Sequence, residues 1–122
     1  EIDMTESETV SEFEVIEVGQ GTSPQSELKF VYVEDEVKLT FEVTADAYIS
    51  IQGSSGTKYF DGILSPNMEI ETFDITEEEN IYFNVGNTAG LTIIINDVTM
   101  DYPVEPQQSV HQKFLIHLQK VE

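Results

Sequence analysis

The sequence predicts an all-β domain of about eight or nine short strands, closed as a sandwich or a barrel. Three observations carry that expectation. No segment sustains a helical apolar period. Turn-forming residues recur every ~8–12 positions. Several stretches alternate apolar and polar side chains with period two. The clearest sets Val37, Leu39, Phe41 and Val43 against Lys38, Thr40, Glu42 and Thr44. Such alternation marks a half-buried antiparallel strand, apolar face inward.

The stretch Asn80 to Asn96 reads as the centre of the core. Ile81, Phe83 and Val85 alternate with Tyr82, Asn84 and Gly86, and Leu91, Ile93 and Ile95 with Thr92, Ile94 and Asn96. Gly86-Asn87-Thr88-Ala89-Gly90 lies between the two runs. Glycine and asparagine tolerate positive φ, so this loop is expected to reverse the chain into a hairpin. Ile93-Ile94-Ile95 is the most β-branched run in the chain and suits a pleated surface.

The other elements follow in order. Phe13 to Val18 is expected as a strand, with its glutamates suited to an edge. Gly19 to Glu27 is a loop by its glycine, proline and serine content. Leu28 to Val33 is a strand with Leu28, Phe30 and Tyr32 on one face. Ala45-Asp46 is expected to turn the strand over 37–44 back into Ala47 to Gln52. Gly53-Ser54-Ser55-Gly56 makes a tight connection to a short strand over Thr57 to Gly62. Leu64-Ser65-Pro66-Asn67 turns the chain, because Pro66 fixes φ and donates no hydrogen bond. Met68 to Phe73 is expected as a strand with Met68 and Ile70 inward. Asp74 to Asn80 is expected as one helical turn or an acidic loop. Asn96-Asp97 suits a type I′ turn into Val98 to Met100. Tyr102 to Ser109, with two prolines, is irregular. Val110 to Val121 is the last strand, with Phe114, Ile116 and Leu118 inward and His111, Lys113, Leu115 and His117 outward.

Composition narrows the function. The 122 residues allow a single domain with a real core. The formal charge is −19, from 24 acidic side chains against five lysines. That field repels nucleic-acid phosphate and anionic membranes. The chain has no cysteine, hence no disulfide and no thiolate metal site. No apolar run approaches the ~20 residues of a membrane helix. Residues 1–12 hold Glu1, Asp3, Glu6, Glu8 and Glu12 and no basic residue. They are expected as a disordered lead-in or linker end, with the folded domain over 13–122. The chain starts at glutamate, which fits a domain excised from a longer chain.

Catalytic and metal chemistry find little support. His111 and His117 are six positions apart, about 20 Å along a strand, too far for one metal shell. They are expected as two solvated histidines. Gly53-Ser54-Ser55-Gly56 lacks nucleophile-elbow spacing. Glu77-Glu78-Glu79 lacks the spacing of a calcium loop and reads as a solvated run. No catalytic residue, metal or cofactor is expected, and the domain is not expected to be an enzyme. Tyr48, Tyr59 and Tyr82 fall on nominally polar strand faces. Together with Leu115 and Ile94 they form the candidate interaction surface, for a protein partner or for stacking on a glycan.

Val37 to Pro103 resembles the C-terminal domain of RodZ-type bacterial cell-shape proteins. The resemblance is carried by VKLTFEVTADAYISIQGSSGT, by the Asp61-Gly62-Ile63-Leu64-Ser65-Pro66 step, and by FNVGNTAGLTIIIND over residues 83–97. Gly86, Asn87, Gly90 and Asn96 match the most specific part of that pattern. The family's usual tryptophan is Tyr48 here, and the glycine of its Asn-Gly turn is Asp97. The resemblance implies an antiparallel two-sheet sandwich of Ig-like, Greek-key type with about seven to nine strands. It also implies a non-catalytic domain on the outer side of a bacterial membrane, here a Gram-positive one. A helix-turn-helix domain and a single membrane helix would lie upstream. The whole would couple the MreB cytoskeleton to peptidoglycan elongation, with membrane-linked cell-wall synthesis or division proteins as partners and peptidoglycan as a further ligand. The alternative is a stand-alone carbohydrate-binding module.

Overall fold

A computed structural model describes residues 11–121. Ten strands form among them: β1 (Glu12–Glu17), β2 (Gln25–Tyr32), β3 (Lys38–Val43), β4 (Ala47–Gly53), β5 (Lys58–Leu64), β6 (Phe73–Asp74), β7 (Asn80–Val85), β8 (Leu91–Ile95), β9 (Val98–Thr99) and β10 (Gln112–Lys120). They make two sheets. One runs β1-β2-β10-β7-β4-β5 and the other β6-β3-β8-β9. All pairings are antiparallel except that of β10 with β2. The expected all-β, two-sheet sandwich is present.

The core lies between the sheets, where the period-two pattern puts it. Leu28, Phe30, Ile49, Ile51, Ile81, Phe83, Phe114 and Ile116 face inward from the larger sheet. Leu39, Phe41, Leu91, Ile93 and Ile95 meet them from the smaller one. Burying each such side chain contributes ~1.5–3 kcal/mol, which is how so acidic a chain stays folded. β1 is an edge strand as expected, five of its six residues exposed, and Phe13 packs on Phe30 with ring centroids 4.7 Å apart. A bulge between Val15 and Glu17 twists this edge, a device that discourages further strand pairing.

Two expected hairpins are not hairpins. β7 and β8 belong to different sheets, and so do β3 and β4. Each short connection carries the chain across the sandwich instead of back along one sheet. Alternation shows which side chains are inward, and it is the same whether the neighbour lies beside the strand or opposite it. One further expectation fails. Residues 68–72 form no strand and Met68 is exposed, the strand being limited to β6. Pro66 and Asn67 turn the chain, and the segment after them passes from one sheet edge to the other. The Asp74 to Asn80 region is the acidic loop, without a helical turn. The Asn96-Asp97 turn forms as expected, with φ of 50° and 67°. The acidic lead-in over 1–12 lies outside the described residues, except that Ser11 donates to Glu34 at 2.7 Å and Glu12 opens β1.

The reason for the glycines of the 86–90 loop also differs from expectation. Neither has positive φ. The two inter-sheet crossings touch there. Thr44 and Ala45 donate backbone N–H groups to the Gly90 carbonyl at 2.8 and 3.3 Å, and Gly86 N–H donates to the Tyr48 carbonyl at 2.8 Å. A Cβ on Gly90 would lie 2.8 Å from the Ala45 Cβ and 3.0 Å from its carbonyl oxygen. Gly90→Ala should therefore cost ~1–3 kcal/mol, as an overpacking change does. A thermal melt checks it, and an unchanged midpoint would mean that the two crossings do not touch.

Candidate functional site

The six-stranded sheet is the larger of the two, and its strand pairings set the rows of its outer face. Gln25, Lys113, Asn84, Ser50 and Asp61 form one row across β2, β10, β7, β4 and β5. Glu27, Leu115, Tyr82, Gln52 and Lys58 form the next. Tyr48 and Ile63 are cross-strand neighbours at the β4–β5 end, where Tyr48 is 38% and Ile63 58% exposed. Tyr82, at the centre, is 47% exposed.

The charge on this face is nearly balanced, although the chain is not. Lys29, Lys58 and Lys113, three of the five lysines, lie here with both histidines. Three of the carboxylates on it, Glu14, Glu27 and Asp61, are engaged. Glu14 lies 3.7 Å from Lys29. Asp61 accepts from the Tyr48 hydroxyl at 2.8 Å and from Lys58 at 3.4 Å. The Tyr48 hydrogen bond, with Lys58, holds the Asp61 carboxyl below the usual range, and the same hydrogen bond to Asp61 pushes the Tyr48 phenol up. His117 bridges Asn80 Oδ1 and Glu27 Oε2, both at 2.5 Å. His111 lies 2.6 Å from Asn84 Oδ1 and 3.2 Å from Ser23 Oγ. The expected solvated histidines are thus part-buried and hydrogen-bonded, because antiparallel neighbours bring asparagine amides beside them. Among the described residues no group of three or more metal-binding side chains gathers.

Tyr48 and Tyr82 stand on the outer face as expected. Tyr59 does not. A register shift between Ile51 and Gln52 on β4 lets β5 turn Tyr59 toward the core, where its ring meets Phe73 edge-on at 6.5 Å. Its hydroxyl donates to Glu78 Oε2 at 2.6 Å. Burial, and then that hydrogen bond, push the Tyr59 phenol up to about 12. Glu78 is the residue that sequence reasoning missed. It is only 6% exposed, despite standing in the run Glu77-Glu78-Glu79. Ser55 donates to it from its N–H at 2.9 Å and its hydroxyl at 2.7 Å. Burial acts to raise the Glu78 carboxyl, but the Tyr59 and Ser55 hydrogen bonds outweigh it and hold the group below the usual range. The available signal was Gly53-Ser54-Ser55-Gly56, a turn rich in small donors that can wrap a carboxylate.

Gly86 lies beside Tyr48, where a Cβ would come 3.2 Å from the Tyr48 Cβ, while Asn87, Gly90 and Asn96 act on the frame. Asn87 donates its amide to the Asp46 carbonyl at 3.0 Å, joining the two crossings. Asn96 Oδ1 accepts from Lys38 N–H at 2.7 Å, and its amide donates to the Glu36 carbonyl at 2.9 Å and to Glu34 Oε1 at 3.0 Å. This pins the β2–β3 loop to the β8–β9 turn. Among the described residues no helix is long and apolar enough to cross a membrane.

Comparison with curated proteins and with solved structures returned no match. A family model, the RodZ C-terminal domain, matches residues 40–112, from β3 through the start of β10. The match covers more than half the chain and takes in both sheet crossings and the Asn96 turn, so the chain belongs to the RodZ C-terminal domain family.

Proposed function

We propose that this domain is the non-catalytic interaction module of a RodZ-like cell-shape protein, held outside the cytoplasmic membrane of a Gram-positive bacterium. In this reading a helix-turn-helix domain, a single membrane helix and a linker precede it. The assembly couples the MreB cytoskeleton to peptidoglycan elongation. The domain's part is to contact membrane-linked wall-synthesis or division proteins through the outer face of the six-stranded sheet. Family membership supports the cell-shape role and displaces the stand-alone carbohydrate module as a reading of the whole chain.

The observation that carries the choice of face is the exposed Tyr48–Ile63 pair beside engaged, charge-balanced neighbours. An apolar pair costs little to desolvate, whereas the acidic surroundings elsewhere resist burial against most partners. A photoreactive residue at Ile63 of the membrane-anchored parent protein, in growing cells, tests this. Capture of wall-synthesis or division proteins is expected there, with none from Thr40 on the opposite sheet. Capture from Thr40 alone would reverse the assignment of the face. Cytosolic protection of the domain from added protease would overturn its location.

A further inference from the structure

Between the Tyr48–Ile63 end and β2, the same face holds a groove of about 220 Å³. Its polar lining is Gln25, Ser50, Gln52, Tyr82, Asn84 and Lys113. None of the chain's 24 acidic side chains lines it. In a chain of charge −19 that absence is informative, because an acidic surface here would repel anions and bind water tightly. The lining offers three side-chain amides, of which only the Asn84 oxygen is engaged, by His111, with two hydroxyls and one ammonium. The side chains of Gln25, Gln52 and Tyr82 form no hydrogen bond among the described residues, so their polar atoms are open to a ligand.

The sheet fixes the spacing of these groups. Neighbouring strands lie ~4.8 Å apart, so the row from Gln25 through Lys113 and Asn84 to Ser50 spans about 14 Å. The row of Tyr82 and Gln52 runs parallel to it, about 7 Å along the strands. The result is an aromatic ring beside a straight row of polar groups, on a strip without carboxylates whose one charged group is the Lys113 ammonium. A ligand matched to it is elongated, neutral and rich in hydroxyl and amide groups. It has apolar ring faces for Tyr82 and no charge for the surrounding field to reject. A basic peptide is matched instead to the acidic surface outside the strip, and an anionic polymer is excluded by net charge.

From this geometry we infer that the Tyr82 groove binds an uncharged oligosaccharide of N-acetylated sugars, with the ring stacked on Tyr82 and Gln25, Gln52 and Asn84 bonding its amides and hydroxyls. The inference rests on the proposed placement outside the membrane for its biological ligand, but the binding itself does not. The protein partner would then use the Tyr48–Ile63 end, leaving the groove to the glycan.

The 122-residue chain, isotope-labelled, would be titrated with the β-linked tetramer of N-acetylglucosamine and followed by amide NMR. Side-chain amide signals of Gln25, Gln52 and Asn84 are expected to shift together, saturating with a Kd of about 1 mM or below for so few contacts. Tyr82→Ala should weaken binding about tenfold, as loss of a central aromatic anchor does. Ile63→Ala should leave it unchanged. Tyr82→Phe should retain most of the affinity, which separates stacking from an effect on folding. Absence of saturable shifts would overturn the proposal, and so would full affinity in Tyr82→Ala. Shifts centred on the four-stranded sheet would also overturn it. Glycan binding without any Ile63 crosslink would sustain the groove and reject the protein-contact reading. An Ile63 crosslink without glycan binding would do the reverse.

Discussion

Replacing Ile93 with alanine is expected to cost ~2–5 kcal/mol of folding free energy, the range of truncations in a packed core. Ile93 is fully buried on β8, opposite Phe41 on β3, with the inner faces of β4 and β7 across the sandwich. Its immediate neighbour Thr92 is only partly buried, and it pairs with the exposed Glu42 on the other face of the sheet. Thr92→Ala should cost less than ~1 kcal/mol. Urea unfolding midpoints of the two variants measure the contrast. Equal shifts would mean that β8 is turned by one residue, because a one-residue slip exchanges the faces of a strand.

Glu78→Ala is the second large effect. The carboxylate accepts from Tyr59 and twice from Ser55 while almost wholly removed from water. Hydrogen bonds to a charged group contribute ~1.5–3 kcal/mol each, and their donors are left unpaired when it goes, so a loss of roughly 2–4 kcal/mol is expected. The position is also coupled to its neighbour. A Cβ on Gly53 would lie 2.2 Å from the Glu78 Cδ, and the carboxylate cannot retreat without breaking its bonds. Gly53→Ala should therefore be damaging alone and much milder beside Glu78→Ala. A double-mutant cycle should give a coupling of ~1 kcal/mol or more. Additive effects would show that the carboxylate does not occupy this place.

The pH dependence follows in sign. The Glu78 carboxyl titrates lower in the folded chain than in the unfolded one. Its contribution is complete above the ordinary glutamate value of about 4.3 and is lost as pH falls through the folded value, because the unfolded chain takes the proton first. Glu78→Gln should flatten that part of the acid limb relative to the native chain. Comparing the two curves removes the contributions of Glu34, Asp61 and Asp74, which also titrate low. An acid limb of equal steepness in both proteins would contradict the network around Glu78.

Much of the frame was legible in the chain itself. Period two in Val37 to Val43, in Ile81 to Val85 and in Phe114 to Leu118 named inward side chains that are buried or partly buried. The Asn96-Asp97 turn was legible because few residue pairs accept positive φ twice. Tyr48 and Tyr82 were placed on the outer face by the same alternation. Tyr59 was misplaced because one bulge shifts the phase, and composition does not reveal a bulge. Glu78 looked like its neighbours Glu77 and Glu79, since burial of one member of an acidic run depends on donors distant in sequence.

The sequence by itself determined that this is an all-β domain of low helical content, strongly acidic, with a family pattern around Gly86 to Asn96. These are local properties: alternation, branching, turn chemistry and charge. Only the tertiary structure decided that Gly86–Gly90 crosses between sheets instead of closing a hairpin, that β10 joins β2 in parallel, and that a groove on the larger sheet is free of carboxylates. Strand partners are chosen by packing across the whole core, and a side chain's pattern along its own strand is the same for every partner that buries it equally well.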